Sequence, residues 1–436
     1  MSEERFAYLQ EIVTWTPSKR TWKAIVRLFA NWPPGKERDD AVKYASGELD
    51  HWNPLIRKAN KKEGHPCWPL VTNWDLKELD SDLNMKDVQN ILHSTTNIRC
   101  LDLSHEQLEE NIHFLRSASG IEALQVHSLF GKEDKGLFWE LRHLKSLELE
   151  TTYKDETLEP FRQLFNLERL RVGWGRFGSI RNIDALEELT RINELCLPNC
   201  TYLESLDVLP FLRNLRVFRA RRLLRVENVE VLKSCPLLNE LELDYISQEQ
   251  AHIISSLSTI RKLILEHPNH FSLNCLFELS KLSSLVFWDC SEVHSVEGLE
   301  KCSRLEEVAL FYGDNLRSIE SLQKLPLLKS LRLDWITCLE SLEPIRKMES
   351  LKILNLQRFQ SSKDLSFLPE SGSLKQLTLE SSLVLESLYG IQWQKNIAFL
   401  RLCNLPNLKG KHYLKGVSFL ESEIEKCPSL ETSLLA

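Results

Sequence analysis

The sequence predicts an α/β solenoid, in which short parallel strands stack side by side and each chain segment returns through a compact helical turn. Three observations predict it. A six-residue phrase that is apolar at offsets 0, 3 and 5 recurs along most of the 436 residues. Its step is almost constant. The residues that follow each copy carry a second apolar period of three.

The phrase opens as IRCLDL at Ile98 and returns as IEALQV at Ile121, LKSLEL at Leu144 and LERLRV at Leu167. It continues through INELCL at Ile192 to LEEVAL at Leu305, LKSLRL at Leu328 and IAFLRL at Ile397. Fourteen copies start between Ile98 and Ile397, at steps of 22 or 23 residues except for one step of 25 between Leu167 and Ile192. A phase held that long is an internal repeat. Offsets 3 and 5 have the period of a strand with both side chains on one face. In the copy at Leu328, Leu339, Leu342, Ile345 and Met348 follow at three-residue steps, which suits a 3₁₀ or short helical return. One such unit cannot bury its apolar edge alone, but stacked units build a continuous core.

The pattern resembles the leucine-rich repeat family, from about Val71 to Leu420. Unit length and the LxSLxxL second half are similar to the 22–23-residue bacterial and internalin-like classes. The resemblance implies a curved parallel sheet on the concave face, short returns on the convex face, and recognition of a partner. One departure stands out. The family often places Asn at offset 8, where it caps the turn; here that offset holds Cys200, Ile246, Cys290, Ile336 and Ser382, among others. The turns are therefore expected to be less uniform than in the family.

Residues 1–70 do not follow the repeat and are expected to form a helical N-terminal cap. Trp22, Ile25, Val26 and Phe29 share one helix face, Pro33–Pro34–Gly35 ends that helix, and ERDDAVKYASGELDHW starts a second with acids in its first turn. The head is similar to that of uncharacterised bacterial leucine-rich repeat proteins. VTNWDL at Val71 reads as a degenerate first strand, so the solenoid spans 71–417. Residues 418–436 lose the strand pattern and are expected to be a C-terminal cap.

A formal net charge of −7 gives no general field for nucleic acid or an anionic membrane. The charged N-terminus has no apolar signal core, and no apolar run approaches a membrane span. Eleven cysteines form no CxxC pair, which favours free thiols in a reducing, cytoplasmic compartment. No phosphate loop, HExxH, GxSxG or GxGxxG motif occurs, so no cofactor, metal or catalytic residue is expected.

What remains is the concave face, which displays offsets 2, 4 and 6. Reading along it gives a basic zone at Arg169, Arg171, Arg219 and Arg221, then an acidic one at Glu240, Glu242 and Asp244. Arg219 with Glu242, and Arg221 with Asp244, share offsets in adjacent units and can pair sideways, which is the favoured reading over a ligand role. An aromatic zone follows at Trp288, Phe311, Tyr312 and Trp335, rimmed by Asp289, Asp314 and Asp334. Large rings on an exposed sheet mark an interface unless another segment covers them. The 25-residue step predicts a protruding loop with Trp174, Arg176 and Phe177, or a neutral insertion folded onto the core. The function expected is non-catalytic recognition of a protein or peptide. An enzyme with a small N-terminal active site and a self-assembling structural role are the alternatives.

Overall fold

The computed structural model describes residues 2–15, 17–53, 56–59, 68–75, 89, 98–127, 138–149, 156–172, 180–226, 228–267, 276 and 278–431. The loop expected to carry Trp174, Arg176 and Phe177 lies outside them. The chain divides into two compact units, Met1–Leu215 with Leu224–Glu227, and Arg216–Leu223 with Asn228–Ala436.

The first unit opens with three helices, α1 (Ser2–Ile12), α2 (Lys19–Ala30) and α3 (Lys36–Glu48). In α2 the residues Trp22, Ile25, Leu28 and Phe29 are buried, and Ser18 caps the helix by accepting from the Thr21 N–H at 3.0 Å. The Trp22 indole donates to the Lys58 carbonyl at 3.1 Å, which ties the helices to the first strands. Those strands are β1 (Lys58–Ala59) and β2 (Asn73–Asp75). Next come β3 (Cys100–Ser104), β4 (Ala123–His127), β5 (Ser146–Leu149), β6 (Arg169–Val172) and β7 (Glu194–Leu197). All the pairings among them are parallel, and Trp74 sits in register with Leu101, Leu124, Leu147, Leu170 and Leu195. That row is at most 1% exposed.

The second unit holds β8 (Val217–Ala220), β9 (Glu240–Asp244), β10 (Lys262–Glu266), β11 (Ser284–Trp288) and β12 (Glu307–Phe311). It continues with β13 (Ser330–Asp334), β14 (Ile353–Gln357), β15 (Gln376–Glu380), β16 (Asn396–Cys403) and β17 (Ser418–Glu425). Each pairs in parallel with the next, and the offset-3 residues from Leu241 to Leu400 align in one row. A second row runs from Leu243 through Phe287 to Leu402, and neither row exceeds 2% exposure. Full burial of each such side chain contributes about 1.5–3 kcal/mol, so these rows hold the stack together.

The returns close the other side of the core. In 3₁₀ segments such as Glu320–Lys324 and Glu343–Lys347, Leu322 and Ile345 point inward with no exposed area. Some returns are instead α-helices, among them α4 (His105–Ser117) and α5 (Gln248–Ser255). Each starts at a capping box, Ser104 with Gln107 and Ser247 with Gln250, in which side chain and backbone donors are satisfied reciprocally. A last short helix, α6, covers Pro428–Glu431. The segment in which the strand pattern fades still forms β17. Ser422 stands where earlier copies have Leu, yet the backbone pairs with β16 from Asn396 to Cys403, because ladder bonds do not depend on the side chain.

Candidate binding face

What fixes the exposed ends of the strands in the second unit is a backbone device. The residue one past offset 6 has positive φ in ten successive copies, from Arg222 (59°) and Tyr245 (48°) through Tyr312 (56°) and Trp335 (57°) to Lys426 (53°). None is glycine, so each conformation is costly by itself. A hydrogen bond offsets the cost. The N–H groups of Tyr245, His267, Tyr312, Trp335, Arg358, Ser381 and Asn404 donate to the last strand carbonyl of the following copy at 2.8–3.1 Å. The turns of this unit are thus uniform, contrary to the expectation from the missing asparagines. Offset 8 is filled by buried side chains that do part of that work: Cys290 Sγ donates to the Phe287 carbonyl at 3.6 Å and Ser382 Oγ to the Phe359 carbonyl at 2.9 Å.

The left-handed turn directs a large side chain to the rim of the strand face, and the rings use this. Trp288 and Phe311 stack with centroids 3.8 Å apart and planes 9° apart. Tyr312 meets Trp335 edge-on at 5.3 Å. Phe311 is buried at 3% exposure, Trp288 and Trp335 are half-buried, and Tyr312 is exposed at 43%. Neighbouring guanidinium groups lie on the two free ring faces, with Arg332 4.6 Å from the Phe311 centroid and Arg358 3.8 Å from that of Trp335. The expected acidic rim is already engaged. Asp289 pairs with His267 Nδ1 at 2.8 Å, Asp314 accepts from Thr337 at 3.3 Å, and Asp334 lies beside Arg332. Burial pushes the Asp334 carboxyl up, and Arg332 and Arg358 pull it down by less. Farther along, Tyr245 stacks on His267 at 4.6 Å.

The charges of the second unit do pair, straight across for Arg219 with Glu242 and diagonally elsewhere. Arg219 reaches Glu240 at 2.6 Å and stands 3.7 Å from Glu242; Arg221 reaches Glu242 and Glu266, each at 2.7 Å. Arg219 thus keeps its expected partner Glu242 as its longer contact, whereas Arg221 meets Glu242 one step away because strand side chains lean along the strand. Asp244, the expected partner of Arg221, instead accepts from the Arg222 backbone N–H. Burial, with Glu266 nearby, raises its carboxyl to about 6. Glu240 shows the opposite balance: burial raises it, but Arg219 and Lys262 outweigh that and hold it low.

In the first unit Arg171 pairs with Glu148 at 3.3 Å, and Arg169 is half-buried between Ser146 and Glu194 in register. On β3, Asp102 has no exposed area and is closed on by Lys58 and His127. Cys100 and Ala123, on the same strand side, are also fully buried. Arg169 and Arg171 are therefore not presented as an open basic zone.

Parallel strands at a 22–23-residue step, each contributing one apolar row pair and one compact return, decide the fold. The chain has a leucine-rich repeat fold. No family model matches it. Among solved structures it is similar to a leucine-rich repeat protein of Leptospira interrogans, at 17% identity over 83% of this chain and 99% of that one, with a TM-score of 0.44. It is also similar to an internalin (inlF) of Listeria monocytogenes, at 14% identity over 74% of this chain and 89% of that one, with a TM-score of 0.42.

Among the described residues, no group of three or more His, Cys, Asp or Glu could hold a metal, and no helix is long and apolar enough to cross a membrane. On the return side, Tyr389, Trp393 and Tyr413 form a second ring cluster beside a shallow depression lined by Glu386, Lys409 and His412. Reading the strand offsets missed it, because its rings come from the returns. Arg332 and Arg358 were missed for a different reason. The signal was present, since each lies in a copy next to an aromatic one, but arginine beside a ring reads as ordinary surface.

Proposed function

We propose that this protein is a non-catalytic recognition scaffold that binds a protein or peptide through the exposed strand face of its second unit. The observation that carries the reading is the ring cluster of Trp288, Phe311, Tyr312 and Trp335, partly open on a surface of strands paired in parallel with their neighbours. Rings set on a rigid ladder lose little entropy on binding, and aromatic clusters dominate interface energetics. Tyr312 is the open anchor, whereas Phe311 supports Trp288 from below. Arg219 and Arg221 brace the face through ion pairs.

The test is affinity capture from host lysate with the full chain, wild type beside Tyr312→Ala/Trp335→Ala. The variant is expected to fold normally, with circular dichroism and melting close to wild type, and to lose the partner, a weakening of about 2–4 kcal/mol. A folded variant that retains every captured protein contradicts the reading.

A further inference from the structure

Two arginines on the candidate face have hydrogen-bonding edges that the fold leaves open. Arg358 is exposed, and its side chain makes no hydrogen bond or ion pair among the described residues. Arg332 is half-buried. Its Nε finds no partner, and its nearest carboxylate, Asp334, is 3.8 Å away, beyond hydrogen-bond distance. Both nonetheless lie over a ring of the cluster. Packing fixes such a guanidinium while its planar fork of donors stays available.

A third group points the same way. Asn355 lies in register between Arg332 and Thr378, so its side chain emerges on the same face. It is 5% exposed, and its Oδ1 accepts no hydrogen bond. A buried acceptor left open costs about 1–3 kcal/mol, which a donor from a ligand recovers. Arginine forks call for an anion, and the amide oxygen calls for an N–H beside it. A peptide carboxylate with its adjoining backbone amide supplies both.

The sign and size of the anion follow from the surroundings. Asp334 and Glu380 stand within electrostatic reach of Arg332. A dianionic phosphoryl group meets repulsion from both, while a carboxylate brings a single charge.

Resting on the recognition reading above, we propose that Arg332 and Arg358 form a clamp for a carboxylate of the partner peptide, with Asn355 Oδ1 accepting its backbone N–H and Tyr312 and Trp335 holding a neighbouring apolar side chain. The partner segment is thus acidic and aromatic or aliphatic, the reverse of the basic segment that an acidic rim would select.

The experiment uses the full chain and a phage-displayed library of random dodecapeptides. Wild-type protein is expected to enrich peptides with Asp, Glu or a free terminal carboxylate near an apolar residue. Synthetic copies then separate the sources: side-chain Glu→Gln on one arm, C-terminal amidation on the other. The arm that removes the gripped carboxylate weakens binding about tenfold or more, and so does Arg332→Met/Arg358→Met protein. Arg358→Gln alone, at an exposed position, gives the same direction without risk to folding. Peptides that depend on Tyr312 and Trp335 but not on the arginines leave the recognition reading standing and overturn the clamp. Enrichment of basic peptides, or the absence of any arginine-dependent peptide, overturns it as well.

Discussion

Replacing Asp244 by Asn is expected to stabilise the protein at neutral pH and to flatten its stability between pH 4 and 7. Asp244 is 7% exposed, and its carboxyl is raised to about 6, chiefly by burial and further by Glu266, against the pull of the Arg222 N–H, Arg221 and His267. In the unfolded chain the same group titrates near 3.9. A carboxyl raised on folding holds its proton more tightly in the folded state. Its contribution is therefore complete below about pH 3.9 and fades as pH rises through about 6. A shift of about two units, in which the attraction to Arg221 is already included, corresponds to at most about 3 kcal/mol. The asparagine oxygen can still accept from the Arg222 N–H, so the turn geometry stays. Urea midpoints of wild type and variant at pH 4 and pH 8 measure this. The variant should be level with wild type or below it at pH 4, and more stable at pH 8. A variant less stable at pH 8, or one with an unchanged pH dependence, refutes the argument that Asp244 is a buried charge.

Leu354→Ala removes a side chain with no exposed area from the centre of the offset-3 row and should cost about 2–5 kcal/mol, read from the urea midpoint; a loss under 1 kcal/mol means the row is not a packed core. Gly390 has φ of 106°, and a Cβ there would meet the Leu365 carbonyl oxygen at 2.1 Å. Gly390→Ala should therefore cost about 2 kcal/mol or more in the same assay, from left-handed strain plus backbone displacement, and a neutral result rejects that turn geometry.

Much of the fold was legible because the repeat expresses one physical rule many times. Leu331, Leu354 and Leu377 each follow the period of a half-buried strand, and their spacing sets the register directly. Helices α4 and α5 were legible in principle as S-x-x-Q after a strand, but their apolar spacing resembles that of a 3₁₀ return. The left-handed ladder was not legible. Its residues include Tyr, His, Trp and Arg, none of which announces positive φ, and the bond that offsets the strain comes from the next copy. At the site, Trp288 and Phe311 could be brought together from equal offsets alone. The stacking of Arg332 and Arg358 could not, because it depends on how far each side chain leans across the neighbouring strand. The same lean defeated the expected Arg221–Asp244 pair.

The central claim is that the strand face of the second unit, and not its return side, meets the partner. Site-specific photocrosslinking in the host tests this most directly. A benzophenone side chain is placed at Tyr312 on the strand face, or at exposed Lys324 in the return Glu320–Lys324. A discrete adduct with one partner is expected from position 312 and none from position 324. The same adduct from position 324 with none from position 312 would contradict it.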